Sequence, residues 1–365
     1  MPQAYCGSSR LAAVLLRFLI SLGLALAPAS FAVEPTPGVA AVASYSGPDR
    51  SKRLIVAAKR EGELMLYSSL TQDDQLKLVA DFKRRYGVTV KFWRGSQAHI
   101  LQRVLSETRG GRFEFDVLET NAPQIEALAR EKLLQKMSSP YIEQELLPEV
   151  MPSHGEWAPD RLNLLVYAYN THLVKPADIP KSWQDLLDPK WKRRIGVEST
   201  NVEWFAALVK SLGEKAGLEL FQRMADNGLA VRTGHNHSAV LVAAGEIPLM
   251  LGIYSHDAER MKAKSAPVDW FILPPAVVLP SAVAVSRRAP HPNAAALFYD
   301  YMLTDGQRFY TEVHRVPANK NYDTPVRRLV RERQAVKIVN AQETIDDYEK
   351  WLDLYKRIVV DRSQH

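Results

Sequence analysis

Lys190-Trp191-Lys192-Arg193-Arg194-Ile195-Gly196-Val197-Glu198-Ser199-Thr200-Asn201-Val202-Glu203-Trp204-Phe205 reads as a short strand, Ile195 to Val197, that breaks into a polar turn and then a helix. From Trp204 the apolar residues fall at 204, 205, 208, 209 and 212, the spacing of a one-faced helix, and Gly213 ends it. Ser199, Thr200 and Asn201 are all good N-cap residues, so hydroxyl and amide groups stand beside unpaired backbone N–H groups. Such a turn is a ready site for an anion or a polar ligand, and alone it would be no more than a helix cap. Here the same unit recurs along the chain.

Upstream, strand and helix alternate. Glu63 to Tyr67 is a strand followed by the polar turn Ser68-Ser69-Leu70-Thr71 and a helix to Tyr86. Val88 to Trp93 alternates as a strand, Gln97 to Thr108 is helical, and Phe115 to Leu118 is a buried strand. The turn Glu119-Thr120-Asn121 then precedes a helix from Ala122 to Glu131. This βαβαβα order implies a largely parallel sheet covered on both faces, with ligands beyond the carboxyl ends of its strands. Those ends carry Ser68, Ser69, Thr71, Glu119 and Asn121.

Downstream, Leu229 to Arg232 leads into Thr233-Gly234-His235-Asn236-His237-Ser238 and a short helix. Pro248 to Tyr254 is a strand, and Ser255-His256-Asp257 starts the helix after it. Phe271 to Pro280 is broken by prolines, Ser281 to Ser286 is a strand, and Asn293 to Leu303 an amphipathic helix. A final helix, Glu343 to Ile358, carries Ile345, Tyr348, Leu352 and Tyr355 at helical spacing, a stripe for core packing.

The 365 residues suffice for two domains, and 46% hydrophobic with 24% charged residues is an ordinary globular composition. Arg10, the apolar run Leu11 to Ala27 and the small-x-small site Ser30-Phe31-Ala32 predict a cleaved signal peptide over 1–32. The uninterrupted apolar part is too short to span a bilayer. Cys6, the only cysteine, leaves with it, so the mature chain starting at Val33 has no disulfide and no thiolate metal site. The formal charge falls from +6 to +4 as Arg10 and Arg17 go, without the clustered basic stripe of a nucleic-acid binder.

No GxSxG, HExxH, Walker or GxGxxG motif is present, and no nucleophile–base pair stands out. His235, His237, Tyr254, His256 and Asp257 form the most chemical-looking cluster, either metal ligands or turn and capping residues.

Residues 60–320 resemble bacterial periplasmic substrate-binding proteins of ABC importers, in the group that contains the ferric-iron-binding proteins. Gly62 to Tyr67, Phe115-Asp116-Val117, Val166 to Thr171, Pro189 to Gly196, Gly245 to Pro248, Ser281 to Val285 and His291 to Ala295 carry the resemblance. It implies a type II periplasmic-binding-protein fold, two α/β lobes joined by crossing strands with a ligand cleft between them. The iron-binding members hold metal with a His, a Glu and a Tyr-Tyr pair, where this chain has Thr71, Asn121 and Tyr254-Ser255. Hard ferric iron wants anionic oxygens, so that set points away from iron. The anion-holding turn of the group matches Ser199-Thr200-Asn201.

The expected organisation is therefore a flexible leader at 33–50, lobe 1 at 51–165 with 275–325 returning to it, lobe 2 at 170–272, and a C-terminal helical segment at 326–365. The expected function is capture of a small anionic or polar organic solute by hinge closure and delivery to an ABC permease in the inner membrane, by a periplasmic, monomeric protein that is not an enzyme and uses no cofactor, catalytic residue, resident metal or nucleic acid. The expected ligand residues are Ser68, Ser69, Thr71, Asn121, Ser199, Thr200, Asn201, Asn236, Tyr254 and His256. The alternatives are a ferric or chelated-iron carrier using Tyr254 and His256, an exported hydrolase with His237 or His256 as base, and a sensory receptor for a membrane kinase.

Overall fold

A computed structural model describes residues 38–332 and 334–362, so the expected signal peptide at 1–32 lies outside the described residues. Helices Val39–Ser44 (α1) and Arg50–Glu61 (α2) come first. A βα run follows: Glu63–Ser68 (β1), Gln72–Tyr86 (α3), Thr89–Arg94 (β2), Gln97–Arg109 (α4), Val117–Asn121 (β3) and Ala122–Arg130 (α5). Short elements Leu134–Gln135 (β4) and Tyr141–Glu145 (α6) lead to the long strand Ala158–Asn170 (β5).

The second run comprises Ile195–Glu198 (β6), Val202–Leu212 (α7), Glu214–Asp226 (α8), Ala230–Arg232 (β7), His235–Ala244 (α9), Leu249–Tyr254 (β8), Ser255–Ala263 (α10) and Val268–Phe271 (β9). The chain then returns through Ala276–Ser286 (β10), Pro292–Leu303 (α11), Asp305–Glu312 (α12) and Val316–Pro317 (β11). It closes with Pro325–Arg331 (α13), Val336–Ile338 (β12), Ala341–Asp346 (α14) and Tyr348–Tyr355 (α15).

All described strands join one sheet with the order β2-β1-β3-β10-β5-β8-β6-β7 along its main path. Each end of this path is parallel: β1 pairs β2 and β3, and β6 pairs β7 and β8. The middle is antiparallel, with β10 lying between β3 and β5, and β5 between β10 and β8. Two long strands, buried along their whole length, thus tie one parallel end to the other. Near-continuous burial accounts for their apolar stretches, Leu164 to Tyr169 in β5 and Ala282 to Val285 in β10, which do not alternate.

Local sequence signals place the helices against this sheet. Thr71 caps α3 by accepting from the Asp74 N–H, and Gly87 ends it at φ 72°, a left-handed conformation that glycine adopts without Cβ strain. On the second end, Trp191, Phe205, Phe221, Trp351 and Tyr355 pack one aromatic core, in which Phe205 and Phe221 meet edge to face at 4.8 Å. On the first, Phe82 is flanked by Phe298 and Tyr301 at 4.9 and 5.2 Å.

The structure corrects several expectations. The leader at 33–50 is not loose over its described part: α1 buries Val42 and Ala43, and Arg50 donates to the Val42 and Tyr45 carbonyls and to Asp300. Apolar residues at 39, 42 and 43 share a helix face, which is what holds α1 down. Glu119 and Thr120 belong to β3 rather than to a turn. The proline-broken stretch already becomes β10 at Ala276; Pro280 falls where β12 has ended and β3 has not yet begun, so one flank lacks a partner. The final helix is two helices separated at Asp347, followed by a π-helical turn, Lys356–Val360. The segment 326–365 also contributes β12 to the sheet. Among the described residues no helix is long and apolar enough to cross a membrane.

Candidate functional site

The carboxyl ends of β3, β6 and β8 face a common space, and five helix starts surround it. Asn121 ends β3 just before α5, Thr200 and Asn201 link β6 to α7, Tyr254 ends β8, and His235 opens α9. With Gln97 at the start of α4, Gln124, Glu203, Trp204 and Tyr348, these residues enclose a cavity of about 120 Å³. Leu165 of β5 and Leu279 of β10 complete the lining, so the two strands that join the sheet's ends also border the cavity. Partially positive helix N-termini and polar side chains around a small cavity suit an anionic or polar molecule.

Asn121 bridges the two ends. Its Nδ2 donates to the Tyr254 hydroxyl at 3.3 Å, while its Oδ1 accepts from Ser281 at 2.9 Å. Ser281 accepts in turn from Asn163 at 2.9 Å. The Tyr254 ring stacks on His235 at 4.1 Å and on His256 at 5.3 Å. Burial raises the Tyr254 phenol above its ordinary value; the Asn121 hydrogen bond opposes this, and the Glu203 and Glu198 carboxylates reinforce it.

The turn between β6 and α7 is organised from inside. Glu198, buried, accepts from the Thr200 N–H at 2.6 Å, the Thr200 hydroxyl at 2.7 Å and the Gly234 N–H at 2.8 Å. None of the three expected caps closes α7 through a side-chain hydrogen bond; Asn201 donates instead to the Gly252 carbonyl at 2.7 Å.

Beneath the cavity lies a layer of buried charge. Glu119 accepts from Ser68 at 2.5 Å and pairs with Arg161, which also reaches Asp160 at 3.3 Å. Burial pushes the Asp160 carboxyl up to about 6, against the pull of Arg161. Nearby, Arg315 meets Asp74 at 2.9 Å and His256 at 3.0 Å, and Arg260 of α10 closes on the same Asp74. Burial and these guanidinium groups hold His256 well below the usual histidine range, so it is neutral.

Of the ten expected ligand residues, Asn121, Thr200, Asn201 and Tyr254 line the cavity. The other six do not. Ser68 is buried on Glu119, Ser69 lends its N–H to the Glu119 carbonyl, and Thr71 caps α3. Ser199 points to Thr233 at 2.9 Å, Asn236 is exposed in the first turn of α9, and His256 lies behind Tyr254 against Arg315. Sequence reasoning missed Gln97, Gln124, Glu203, Trp204 and Tyr348. Gln124 and Glu203 stand in the first turns of helices that follow strand ends, the signal that could have nominated them. Among the described residues no group of three or more His, Cys, Asp and Glu side chains is arranged to hold a metal ion.

The sequence profile described as bacterial extracellular solute-binding protein matches residues 116–345. The chain is 24% identical over 281 residues to "Iron uptake protein A1" of Synechocystis sp., covering 72% of this chain and 76% of that protein. It is 27% identical over 187 residues to the "Putative 2-aminoethylphosphonate-binding periplasmic protein" of Salmonella typhimurium, covering 50% and 53%, so it spans about half of that relative. Iron-bound HitA from Pseudomonas aeruginosa superposes with a TM-score of 0.71 at 24% identity, over 81% of this chain and 99% of that one. The shared architecture is that of type II periplasmic binding proteins.

Proposed function

Because the chain belongs to the bacterial extracellular solute-binding protein family, we propose that the cavity between β3, β6 and β8 is its solute site and that the solute is a small anionic or polar organic molecule. The observation that carries this reading is the lining itself: Asn121 and Gln124 come from one parallel end of the sheet, Thr200, Glu203 and Tyr254 from the other. A molecule held there contacts both ends at once and stabilises their closed arrangement by its differential affinity for it. The two ends act as lobes, residues 51–165 with 275–325 and residues 170–272, and the closed form is what a membrane permease accepts. The family is one of solute-binding proteins, and the relatives named periplasmic support a periplasmic location.

Mass spectrometry of solutes retained by the purified protein, followed by titration of the recovered solute, tests the assignment. Trp204 lines the cavity, so binding is expected to change its fluorescence and Trp204→Phe to remove that change. A recovered solute whose affinity is indifferent to Asn121→Ala and Tyr254→Phe would place the site elsewhere.

Ferric citrate is expected to give no visible tyrosinate-to-iron band. Tyr254 is the one cavity residue of the iron set retained, its phenol is held above the ordinary value, and Asn121 offers a neutral amide. A strong band lost in Tyr254→Phe would reinstate the iron carrier.

A further inference from the structure

Glu203 sits in the first turn of α7, is 8% exposed and lines the cavity. Apart from Asp257, whose neighbour is the neutral His256, every other buried carboxylate among the described residues has an arginine or histidine nitrogen within 4.0 Å. Glu203 has none; its side-chain partner is the Gln124 amide, Nε2 to Oε1 at 3.2 Å. No lysine or arginine belongs to the cavity lining. A buried carboxylate without a counter-ion is expensive: burial pushes the Glu203 carboxyl up toward its neutral form, and a cation arriving with the ligand would restore the charge.

The neighbours of Glu203 agree. With its Nε2 turned to Glu203, Gln124 leaves Oε1 buried and without a partner, and His235 Nδ1 is likewise unpartnered. The Gln124 Oε1 and the Glu203 carboxylate are therefore acceptors in want of a donor. Trp204, Tyr254 and Tyr348 supply aromatic walls, and aromatic faces favour a cation desolvated beside them. Burial, with Glu203 adding to it, pushes the Tyr348 phenol up to about 12, so its ring stays neutral.

We infer that the cleft takes a solute bearing a protonated amine, with Glu203 as its counter-ion and Gln124 Oε1 as a second acceptor, an inference that rests on the cavity being the solute site. An ammonium group presents three donors and no acceptor, which matches this inventory, whereas an anionic group there would meet the carboxylate directly. A solute with both charges would set its anionic end toward the helix starts at Gln97 and Asn121 and its amine toward α7.

The test uses matched probes that differ in the amine alone: β-alanine against propionate, and O-phosphoethanolamine against ethyl phosphate, titrated calorimetrically at up to millimolar concentration. At least one amine is expected to bind about ten-fold to a hundred-fold more tightly than its partner, the range for a hydrogen bond to a charged group. Glu203→Gln, which retains an acceptor for Gln124 but no charge, is expected to abolish that preference with the melting temperature maintained. Gln124→Leu, which leaves the carboxylate in place, is expected to reduce it by a smaller factor and serves if the first variant does not fold. Preference for the amine-free partners, or an amine preference that survives Glu203→Gln, overturns the inference and leaves the cleft reading standing. Binding by neither set overturns both.

Discussion

Arg161→Ala is expected to lower the unfolding free energy by about 3–5 kcal/mol, the effect of removing one partner from a buried ion group. Arg161 is 3% exposed and stands between Glu119 and Asp160, both fully buried. Without it two carboxylates remain in the sheet's centre with Ser68 and Tyr310 as hydroxyl donors. The Asp160 carboxyl, already pushed up to about 6, then rises further above the unfolded value of about 4. A raised carboxylate contributes stability below that value and loses it as pH climbs through the folded pKa. The deficit should therefore be small near pH 4 and grow toward pH 7. A denaturant melt at both pH values reads it, and the triple change Glu119→Gln, Asp160→Asn, Arg161→Met should recover much of the loss. A deficit that does not vary with pH would mean that packing, not charge, is what Arg161 provides.

Gly252→Ala is expected to cost about 2–4 kcal/mol and to weaken solute binding together with stability. Gly252 lies within β8 at φ 70°, where a side chain is strained. Its missing Cβ would stand 2.6 Å from Asn201 Nδ2 and 3.2 Å from the Trp204 indole. Asn201 cannot simply swing away, because the same amide is bonded to the Gly252 carbonyl. Both displaced residues line the cavity, so affinity is the second readout. Asn201→Ala combined with Gly252→Ala should relieve the clash but not the φ strain, recovering part of the stability. Full affinity in a destabilised Gly252→Ala protein would argue that the solute does not touch the α7 turn.

The strand–turn–helix rhythm was legible because each unit carries its own signals, apolar runs for β1 and β8, Thr71 and Gly87 around α3. Site residues at strand ends, Asn121 and Tyr254, followed from that rhythm. What stayed hidden depends on distant partners. Glu119 reads as a turn residue until Arg161, 42 positions on, neutralises it inside the sheet. Asn201 reads as a cap until the Gly252 carbonyl, 51 positions away, claims its amide. Trp204 fits the apolar face of α7 so well that its place on the cavity wall is invisible in the periodicity. Ser199 and Thr200 are as good as any cap in composition, yet Thr233 and Glu198 take their hydroxyls.

The position of β10 governs how the chain can be assembled in time. This strand is completed only at Ser286, yet it sits between β3 and β5 and also pairs β4 and β12. Until it has been synthesised, β3 and β5 each lack a central neighbour, and the two parallel ends cannot be joined across it. Contacts of such long sequence separation delay folding, because the closure entropy must be overcome before they form. A nascent chain of roughly three-quarters length thus holds two sheet fragments with no strand between them, and a truncation before Ala276 would leave exposed strand edges prone to intermolecular pairing. The late arrival of the middle strand would keep such a chain threadable almost to the end of its synthesis, which is what the proposed export requires.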